Sequence, residues 1–387
     1  MATTNYFVSA TNGNDVNDGL DNTGAGLATA TWTESVFTLI QAGHGYTFAA
    51  GDVIYISAGT GATVGLYEVA SSTVNNVVLV ETSTLPRVGN ASDFAAGDLA
   101  TGDIASSDGP WQTIDKAMNT VAAADDTVVF CRNEATYSES PAIDTAITST
   151  AQTCVFEGYG TTLGDDIQIT MVGKLTDTIA TRIHYCFKNI IFDANSANAN
   201  CVELGSYEIM FRKCKFLNGT ANGAACSGTG STWFWDCDFN DNNTDGVIVG
   251  NLGAFFNCRF YRNGTAAIDG GGNVLCWNCT FFSNGGNVID GGAGNETHVI
   301  VINCTIDGDA KDSQVGVVHA SSARGMTAII NSVLYDCIKG DFVHSGDRDL
   351  ILNSLYNSNT TDHDGTGSDQ EGTLITAAPD FVDEVAG

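Results

Sequence analysis

Two aspartates, in two short segments of similar sequence, are the best candidates for catalytic residues in this chain. Asp269 and Asp290 each end a short apolar segment, and each is followed by two glycines. If the two segments are neighbouring strands, the carboxylates stand about 5 Å apart, near the separation of the catalytic pair in a retaining glycosidase. Stacking raises the pKa of one acid and supplies a general acid beside a base. The alternative is that each aspartate only accepts a hydrogen bond from a turn.

Alignment of similar segments extends this pair into a column of outward side chains. Its predicted members are Glu203, Ser227, Val249, Asp269, Asp290, His319 and His344. In this alignment His319 lies one strand beyond Asp290, which predicts Asp269, Asp290 and His319 as the catalytic group.

A second acidic segment resembles half of a calcium loop. Asp241, Asn243 and Asp245 have the spacing of the first three calcium ligands, and a glycine follows Asp245. Leu252 stands where the loop would need its bidentate glutamate. We therefore expect at most a partial calcium site, and calcium is the one cofactor that the sequence suggests. The alternative is a turn rich in Asp and Asn.

Tryptophans are the candidates for stacking on a sugar. Alternation counted from the neighbouring cysteines places Trp235 and Trp277 inward, and Phe234 and Cys276 outward. This pattern predicts that the tryptophans, Trp233 included, pack in the core or at its corners.

The elements that must position these residues form a repeat. Each unit carries a polar residue, a small or apolar one, a variable one and a large apolar one, as in Asn257-Cys258-Arg259-Phe260. Similar units recur at 189–192, 213–216, 236–239, 278–281, 303–306, 331–334 and 353–356. A near-constant period in a range of 20 to 50 residues indicates a solenoid.

Alternation inside each unit is typical of a strand with one buried face. Turn residues follow, as in Asn284-Gly285, and then a second short strand, so that one coil is predicted to be strand, turn, strand, turn. Five cysteines share one inward slot: Cys214, Cys237, Cys258, Cys279 and Cys304. We interpret them as buried free thiols. Zinc is the rival interpretation, but the close pair Cys276 and Cys279 has no partner pair.

Coils of this length stack into a parallel β-helix with coils about 4.8 Å apart. We predict an all-β, single-stranded solenoid at residues 109–360. Residues 1–108 are predicted to be a small N-terminal β region that serves attachment or is inserted in the cap, and residues 361–387 a closing tail.

The repeats and the segment Gly109-Pro110-Trp111-Gln112-Thr113-Ile114 resemble the right-handed parallel β-helix superfamily of pectate lyases, polygalacturonases and phage tailspikes. The resemblance implies a right-handed coil and a cap helix at 110–123. It is closest in character to the tailspike and virion proteins. The polygalacturonase motifs are not found on the coils. One of them, Gly-His-Gly, does occur in the chain, but at 43–45 in the N-terminal region. Arg259, Arg262 and Lys215 lie on coils, without an acidic ladder beside them of the kind that pectate lyases use.

Composition narrows the range of partners. The chain has 387 residues, 45 acidic against 15 basic, and a formal net charge of −30. This sign argues against nucleic acid as a partner. Residues 1–5 lack the basic start and apolar core of a signal peptide, and no apolar run is long enough to span a bilayer. The sequence therefore predicts synthesis in the cytoplasm, a virion location and no membrane insertion.

These observations favour a virion or surface structural protein, such as a phage spike, fibre or capsid decoration. We expect a homotrimer that contacts other virion proteins and in which cell-surface polysaccharide is a further partner. The alternative is a polysaccharide hydrolase or lyase that uses Asp269, Asp290 and His319.

Overall fold

A computed structural model describes residues 4–10, 31–33, 37–40, 50–51, 53–56, 65–84, 90, 92, 112–121, 127–143, 153–177, 184–205, 208–291, 297–308, 315–319, 325–337, 339–343, 348–357, 361–365 and 374–375. The chain divides into two compact units, and each is described by itself. The first contains Met1–Met171 with Phe187–Ile190, and the second contains Val172–Cys186 with Ile191–Gly387.

The second unit consists of three parallel sheets, which we name A, B and C. Sheet A contains Ile209–Arg212, Ser231–Trp235, Leu252–Phe256, Asn273–Trp277, His298–Ile302, Met326–Ile330 and Arg348–Leu352. Sheet B contains Ile190–Asp193, Lys215–Leu217, Asp238–Asn240, Arg259–Tyr261, Thr280–Phe282, Thr305–Asp307, Val333–Tyr335, Ser354–Asn357 and Leu374–Ile375. Sheet C contains Leu175–Asp177, Val202–Leu204, Ala224–Cys226, Val247–Val249, Ile268–Gly270, Ile289–Asp290, Val315–His319, Lys339–Val343 and Thr361–Gly365.

The chain visits sheets A, B and C in turn, and each strand pairs in parallel with the equivalent strand of the next coil. This is the predicted parallel β-helix. The right-handed course stays an expectation from the resemblance. The last strands of sheets B and C fall inside the predicted closing tail, whose other residues lie outside the described part of the chain.

Each coil has three strands, so the predicted pattern of two strands per coil is wrong. The extra boundary is a bend at the residue before the repeated cysteine or serine. That residue has a φ near +50° in every described coil of the repeat: Lys213, Asp236, Asn257, Asn278, Asn303, Asn331 and Asn353. Asn and Asp tolerate this left-handed region better than other residues with a Cβ. The polar residue of the repeat is therefore the corner between sheets A and B.

Aromatic ladders fill the interior of the coils. Phe216, Phe239, Phe260 and Phe281 are fully buried on successive strands of sheet B, with ring centroids 4.6–4.9 Å apart. Phe211, Phe234 and Phe255 form a similar stack behind sheet A. Burial of each such ring is worth about 1.5–3 kcal/mol. The core is therefore continuous along the coils.

A buried ladder of amides runs along the turn after sheet B. The Asn242 Nδ2 donates to Asn263 Oδ1 at 2.9 Å, and the Asn263 Nδ2 donates to Asn284 Oδ1 at 2.9 Å. The same amides donate to the carbonyl oxygens of Phe216, Phe239 and Phe260. Each asparagine therefore satisfies polar groups of a neighbouring coil.

The first unit contains a five-stranded antiparallel sheet within the predicted N-terminal β region, whose bounds and role stay predictions. Its strands are Thr31–Thr33, Thr38–Ile40, Asn76–Leu79, Gly65–Thr73 and Val53–Ile56, in spatial order. The unit also contains the parallel strands Thr4–Val8, Thr127–Arg132 and Cys154–Tyr159 and the short strands Tyr137–Ser138, Ala142–Ile143 and Ile169–Val172. The strand Tyr185–Lys188 includes residues of both units.

One short helix, Ile114–Thr120, lies within the predicted helix at 110–123. Thr113 Oγ1 accepts the Lys116 N–H at 3.1 Å, and the Glu139 carboxylate accepts the N–H groups of Ile114 and Asp115. These contacts satisfy the first donors of the helix. Its role as a cap stays a prediction. Within the described residues, no helix is long and apolar enough to cross a membrane.

Candidate functional site

Asp269 and Asp290 lie opposite each other on neighbouring parallel strands of sheet C, in the register that the sequence predicts. The residues before them, Ile268 and Ile289, are fully buried. Because side chains alternate along a strand, both carboxylates point away from the core. Each is half-buried.

A third carboxylate, Asp245, joins this pair. It precedes the strand Val247–Val249, and its Oδ1 accepts the N–H of Ala266 at 2.9 Å. This bond brings Asp245 to the coil that carries Asp269. On the next coil, Asn287 Nδ2 donates to Asp290 Oδ2 at 3.1 Å. We name Asp245, Asp269 and Asp290 the carboxylate column.

Burial and mutual repulsion change the acidity of this column. Burial raises the pKa of Asp269, and the negative charges of Asp245 and Asp290 raise it further. Burial also raises the pKa of Asp245, where the Ala266 N–H acts in the opposite direction and the charge of Asp290 raises it. Among the described residues, none donates a hydrogen bond to Asp269. Asp269 therefore retains a proton more readily than an ordinary aspartate, as a general acid must.

Close stacking explains the glycines that follow Asp269. A Cβ at Gly272 would lie 2.0 Å from the Asn251 carbonyl oxygen, and one at Gly270 would lie 2.5 Å from Val274 Cγ2. Any larger residue would force the coils apart. The glycines after Asp269 thus have a packing cause, whatever the carboxylates do.

His319 does not lie in the predicted position. Val318, not His319, pairs with Asp290, and His319 pairs with Val343. Ile289 and Val317 are both fully buried and set this register, because a slip of one residue would turn Val317 outward. The predicted register of His319 is wrong, and a catalytic role for His319 stays a prediction.

The earlier members of the predicted column also need correction. The outward column runs through Glu203, Ala225 and Ile248 to Asp269. Ala225 and Ile248 thus replace Ser227 and Val249, and Val249 is buried. His344 lies outside the described residues.

The predicted calcium ligands do not converge. Both carboxylate oxygens of Asp241 pair with Arg262, at 2.6 and 2.7 Å, whereas Asp245 turns to Ala266. Asn243 is exposed. Over the described residues, no group of three His, Cys, Asp or Glu side chains could hold a metal ion. The geometry therefore favours the alternative of a turn rich in Asp and Asn.

The arginines on the coils are held by carboxylates on sheet B. Arg259 makes two hydrogen bonds to Asp238, at 2.7 and 2.6 Å. Arg262 lies over the Tyr261 ring, 4.9 Å from its centroid, while it pairs with Asp241. These are structural ion pairs that link neighbouring coils.

The tryptophans of sheet A point outward, so the predicted inward orientation of Trp235 and Trp277 is wrong. Phe234 and Cys276 are fully buried, whereas Trp277 is 43% exposed. Trp235 stacks on Phe256 with ring centroids 5.0 Å apart. The prediction failed because alternation was counted through the bend before the cysteine, where the phase of the strand is lost.

Two outward columns of sheet A are almost entirely apolar, and we name them together the apolar face. The first contains Met210, Trp233, Ala254, Leu275, Ile300, Ala328 and Leu350. The second begins at Arg212 and continues with Trp235, Phe256, Trp277, Ile302, Ile330 and Leu352. No carboxylate occurs in either column, although the chain has 45 acidic residues.

The sequence analysis missed this face, but a signal for it exists. In the strands Ser231–Trp235, Leu252–Phe256 and His298–Ile302, the later residues, 233–235, 254–256 and 299–302, are apolar at both parities instead of alternating with polar residues. Continuous apolar strands are typical of sheets covered on both sides.

The cysteines are free thiols, as predicted. Cys237 and Cys276 are fully buried, and burial raises the pKa of both. Each repeated thiol donates to a backbone carbonyl, as Cys258 does to the Phe256 oxygen at 3.4 Å. They therefore pack as small apolar groups.

Comparisons with known proteins give only distant likenesses. No family model matches the chain, and no curated protein does. Among solved structures, the pectate lyase Pel9A is 12% identical, with a TM-score of 0.39, and the match covers 68% of this chain and 74% of that one. A pectin methylesterase from Aspergillus niger is 19% identical, with a TM-score of 0.42, and covers 71% of this chain and 90% of that one. The parallel β-helix assignment rests on the strand pairing of this chain, and these likenesses add no argument about activity.

Proposed function

We propose that this protein is a structural subunit of a larger surface assembly, of the spike, fibre or capsid-decoration type. The apolar face of sheet A is the observation that carries the proposal. It takes up two outward positions on every described sheet A strand from Ile209–Arg212 to Arg348–Leu352. Large contiguous apolar patches on a folded protein mark surfaces that another molecule covers.

The interior of the coils suits a structural role. Phenylalanine ladders and the buried amide ladder repeat from coil to coil with the same geometry. Each coil thus contacts the next through similar layers, as the units of repeat proteins do. Ion pairs such as Arg259 with Asp238 add links between coils on the outside.

A polysaccharide assay tests this proposal. The full chain is incubated with a panel of neutral and acidic polysaccharides, and reducing ends, unsaturated products and polymer length are measured. We expect no shortening of any polymer. Cleavage that a folded variant lacking the carboxylates cannot perform would overturn the structural role.

The carboxylate column favours a second candidate function, a polysaccharide hydrolase or lyase. Asp269 has a raised pKa beside Asp290 on the next strand. In a hydrolase, Asp269 would donate its proton to the leaving glycosidic oxygen, while Asp290 would act as nucleophile or activate water. In a lyase, a carboxylate of the column would instead remove a proton from the sugar ring, while the C–O bond to the glycosidic oxygen breaks and a C=C bond forms in the ring.

Matched variants test this second candidate. Asp269→Asn and Asp290→Asn remove the charges and keep the shapes, so either change should abolish cleavage if the column is catalytic. Asp236→Asn is the control, because Asp236 is exposed at a corner where other coils carry asparagine. Equal activity in all the variants would exclude the column as a catalytic site.

A further inference from the structure

We infer that the apolar face of sheet A is the surface through which copies of this chain associate with one another. The inference rests on the proposed structural function and names its partner as the same chain. Four properties of the face support it: charge, ring orientation, area and relief.

Charge favours a copy of the chain over a basic partner. The molecule carries a formal net charge of −30, so two copies repel each other over most of their surfaces. The two columns of the apolar face hold no carboxylate, which makes this face the place where repulsion is smallest. A basic partner would find stronger attraction at the carboxylate column on sheet C.

Ring orientation disfavours a sugar as the occupant. The planes of Trp235 and Phe256 lie 12° apart with centroids 5.0 Å apart, so these rings cover each other's faces. A sugar stacks on the open face of an aromatic ring, and in this pair each ring already covers one face of the other. An apolar protein surface can pack against the ring edges that remain.

The area is enough for a modest interface. Six strand spacings of about 4.8 Å give a length of about 29 Å, and two side-chain columns of about 7 Å each give a width of about 14 Å. The projected area of roughly 400 Å² is about half of the ~800 Å² that each partner buries in an interface of standard size.

The relief of the face is self-complementary. Ala254 and Ala328 are recesses in the first column, each only 3% exposed, while Trp233 and Leu275 are larger neighbours of Ala254. In a symmetric interface, a projection of one copy fills a recess of the other and the reverse contact follows by symmetry.

The test is the mass of the full chain in solution. Sedimentation equilibrium between about 0.1 and 50 µM, around the range of ordinary oligomer affinities, should show a dimer or trimer. Leu275→Asp places a charge in the face and should raise the dissociation constant about 100-fold or more. Thr280→Asp is the matched control, because Thr280 is exposed on sheet B of the same coil; it should leave the mass unchanged.

Leu275→Gln gives a second variant of similar size without charge, in case the aspartate prevents folding, which circular dichroism would reveal. It should weaken association about tenfold. A parent chain that is monomeric at every concentration overturns the inference, as does an oligomer that a folded Leu275 variant does not weaken. A monomer that cleaves no polysaccharide contradicts self-association but not a structural role, whereas cleavage lost in Asp269→Asn contradicts the structural role at any mass.

Discussion

The apolar face of sheet A and the carboxylate column of sheet C are built over one core with opposite outward chemistry. Behind the first lies the stack of Phe211, Phe234 and Phe255, and behind the second lie Ile268 and Ile289. The inward residues are equally buried in both places. The fold therefore constrains the interior alone, and the outward residues are free to determine what each face meets.

Both faces depend on one interior, so a substitution in that interior should have the largest effect on the free energy of unfolding. Phe260 is stacked between Phe239 and Phe281 and is fully buried. Phe260→Ala should lower the free energy of unfolding by about 3–5 kcal/mol, because it leaves a cavity in the ladder. Chemical denaturation monitored by circular dichroism measures it.

Phe282→Ala is the control for this change, because Phe282, on the neighbouring strand Thr280–Phe282, stacks on Tyr261 on the outward side of sheet B. It should cost about 1 kcal/mol, the value of an aromatic pair without deep burial. Equal losses at Phe260 and Phe282 would contradict the assignment of inside and outside.

The amide ladder predicts the next largest effect. Asn263 donates to the Phe239 carbonyl and to Asn284, and accepts from Asn242. Asn263→Ala leaves these buried groups without a partner and should cost about 2–4 kcal/mol. Asn243→Ala, at an exposed position one residue beyond Asn242, should cost less than about 0.5 kcal/mol. Thermal unfolding of both variants gives the comparison, and a small loss for Asn263 would show that the ladder contributes little.

A substitution in the carboxylate column should change the free energy of unfolding by less, and should raise it instead of lowering it. The pKa of Asp269 is raised in the folded protein above its ordinary value of 3.8. The free-energy cost of ionising Asp269 in the folded state is absent below pH 3.8. It grows as the pH rises toward the folded pKa and is complete above it. Asp269→Asn should therefore stabilise the protein at pH 7 by about 1 kcal/mol or less, because solvent screens a half-buried charge.

Unfolding measured from pH 3 to pH 8 checks this sign. The gain of Asp269→Asn should disappear at the acidic end. A gain that persists at pH 3 would mean that the asparagine stabilises by hydrogen bonding and not by relief of charge.

Much of the fold was accessible from the repeat. The slot of Cys237, Cys258 and Cys279, with a large apolar residue two positions later, predicted the inward columns of sheet B and the stacking of coils. The register of Asp269 with Asp290 followed in the same way, because the coils that carry them have nearly the same length. Where the segment after Asp290 is longer, the predicted alignment of His319 failed by one residue.

Local periodicity could not predict the orientation of the sheet A side chains. Alternation holds only within a continuous strand, and the left-handed residues such as Asn257 and Asn278 interrupt it at each corner. Trp277 lies immediately before the corner at Asn278, so its orientation depends on the bend there. The polar character of Asn278 did not by itself reveal that bend.

The sequence by itself determined that this chain forms a stack of parallel coils with small thiols and aromatic rings inside, because an inward slot repeated at nearly constant spacing leaves no other way to bury those residues. Only the tertiary structure decided which groups meet across coils: Asp245 with the coil of Asp269, Asp241 with Arg262, and the tryptophans with one apolar face. The physical reason is that contacts between coils depend on corner geometry and loop length, which set the register of whole strands.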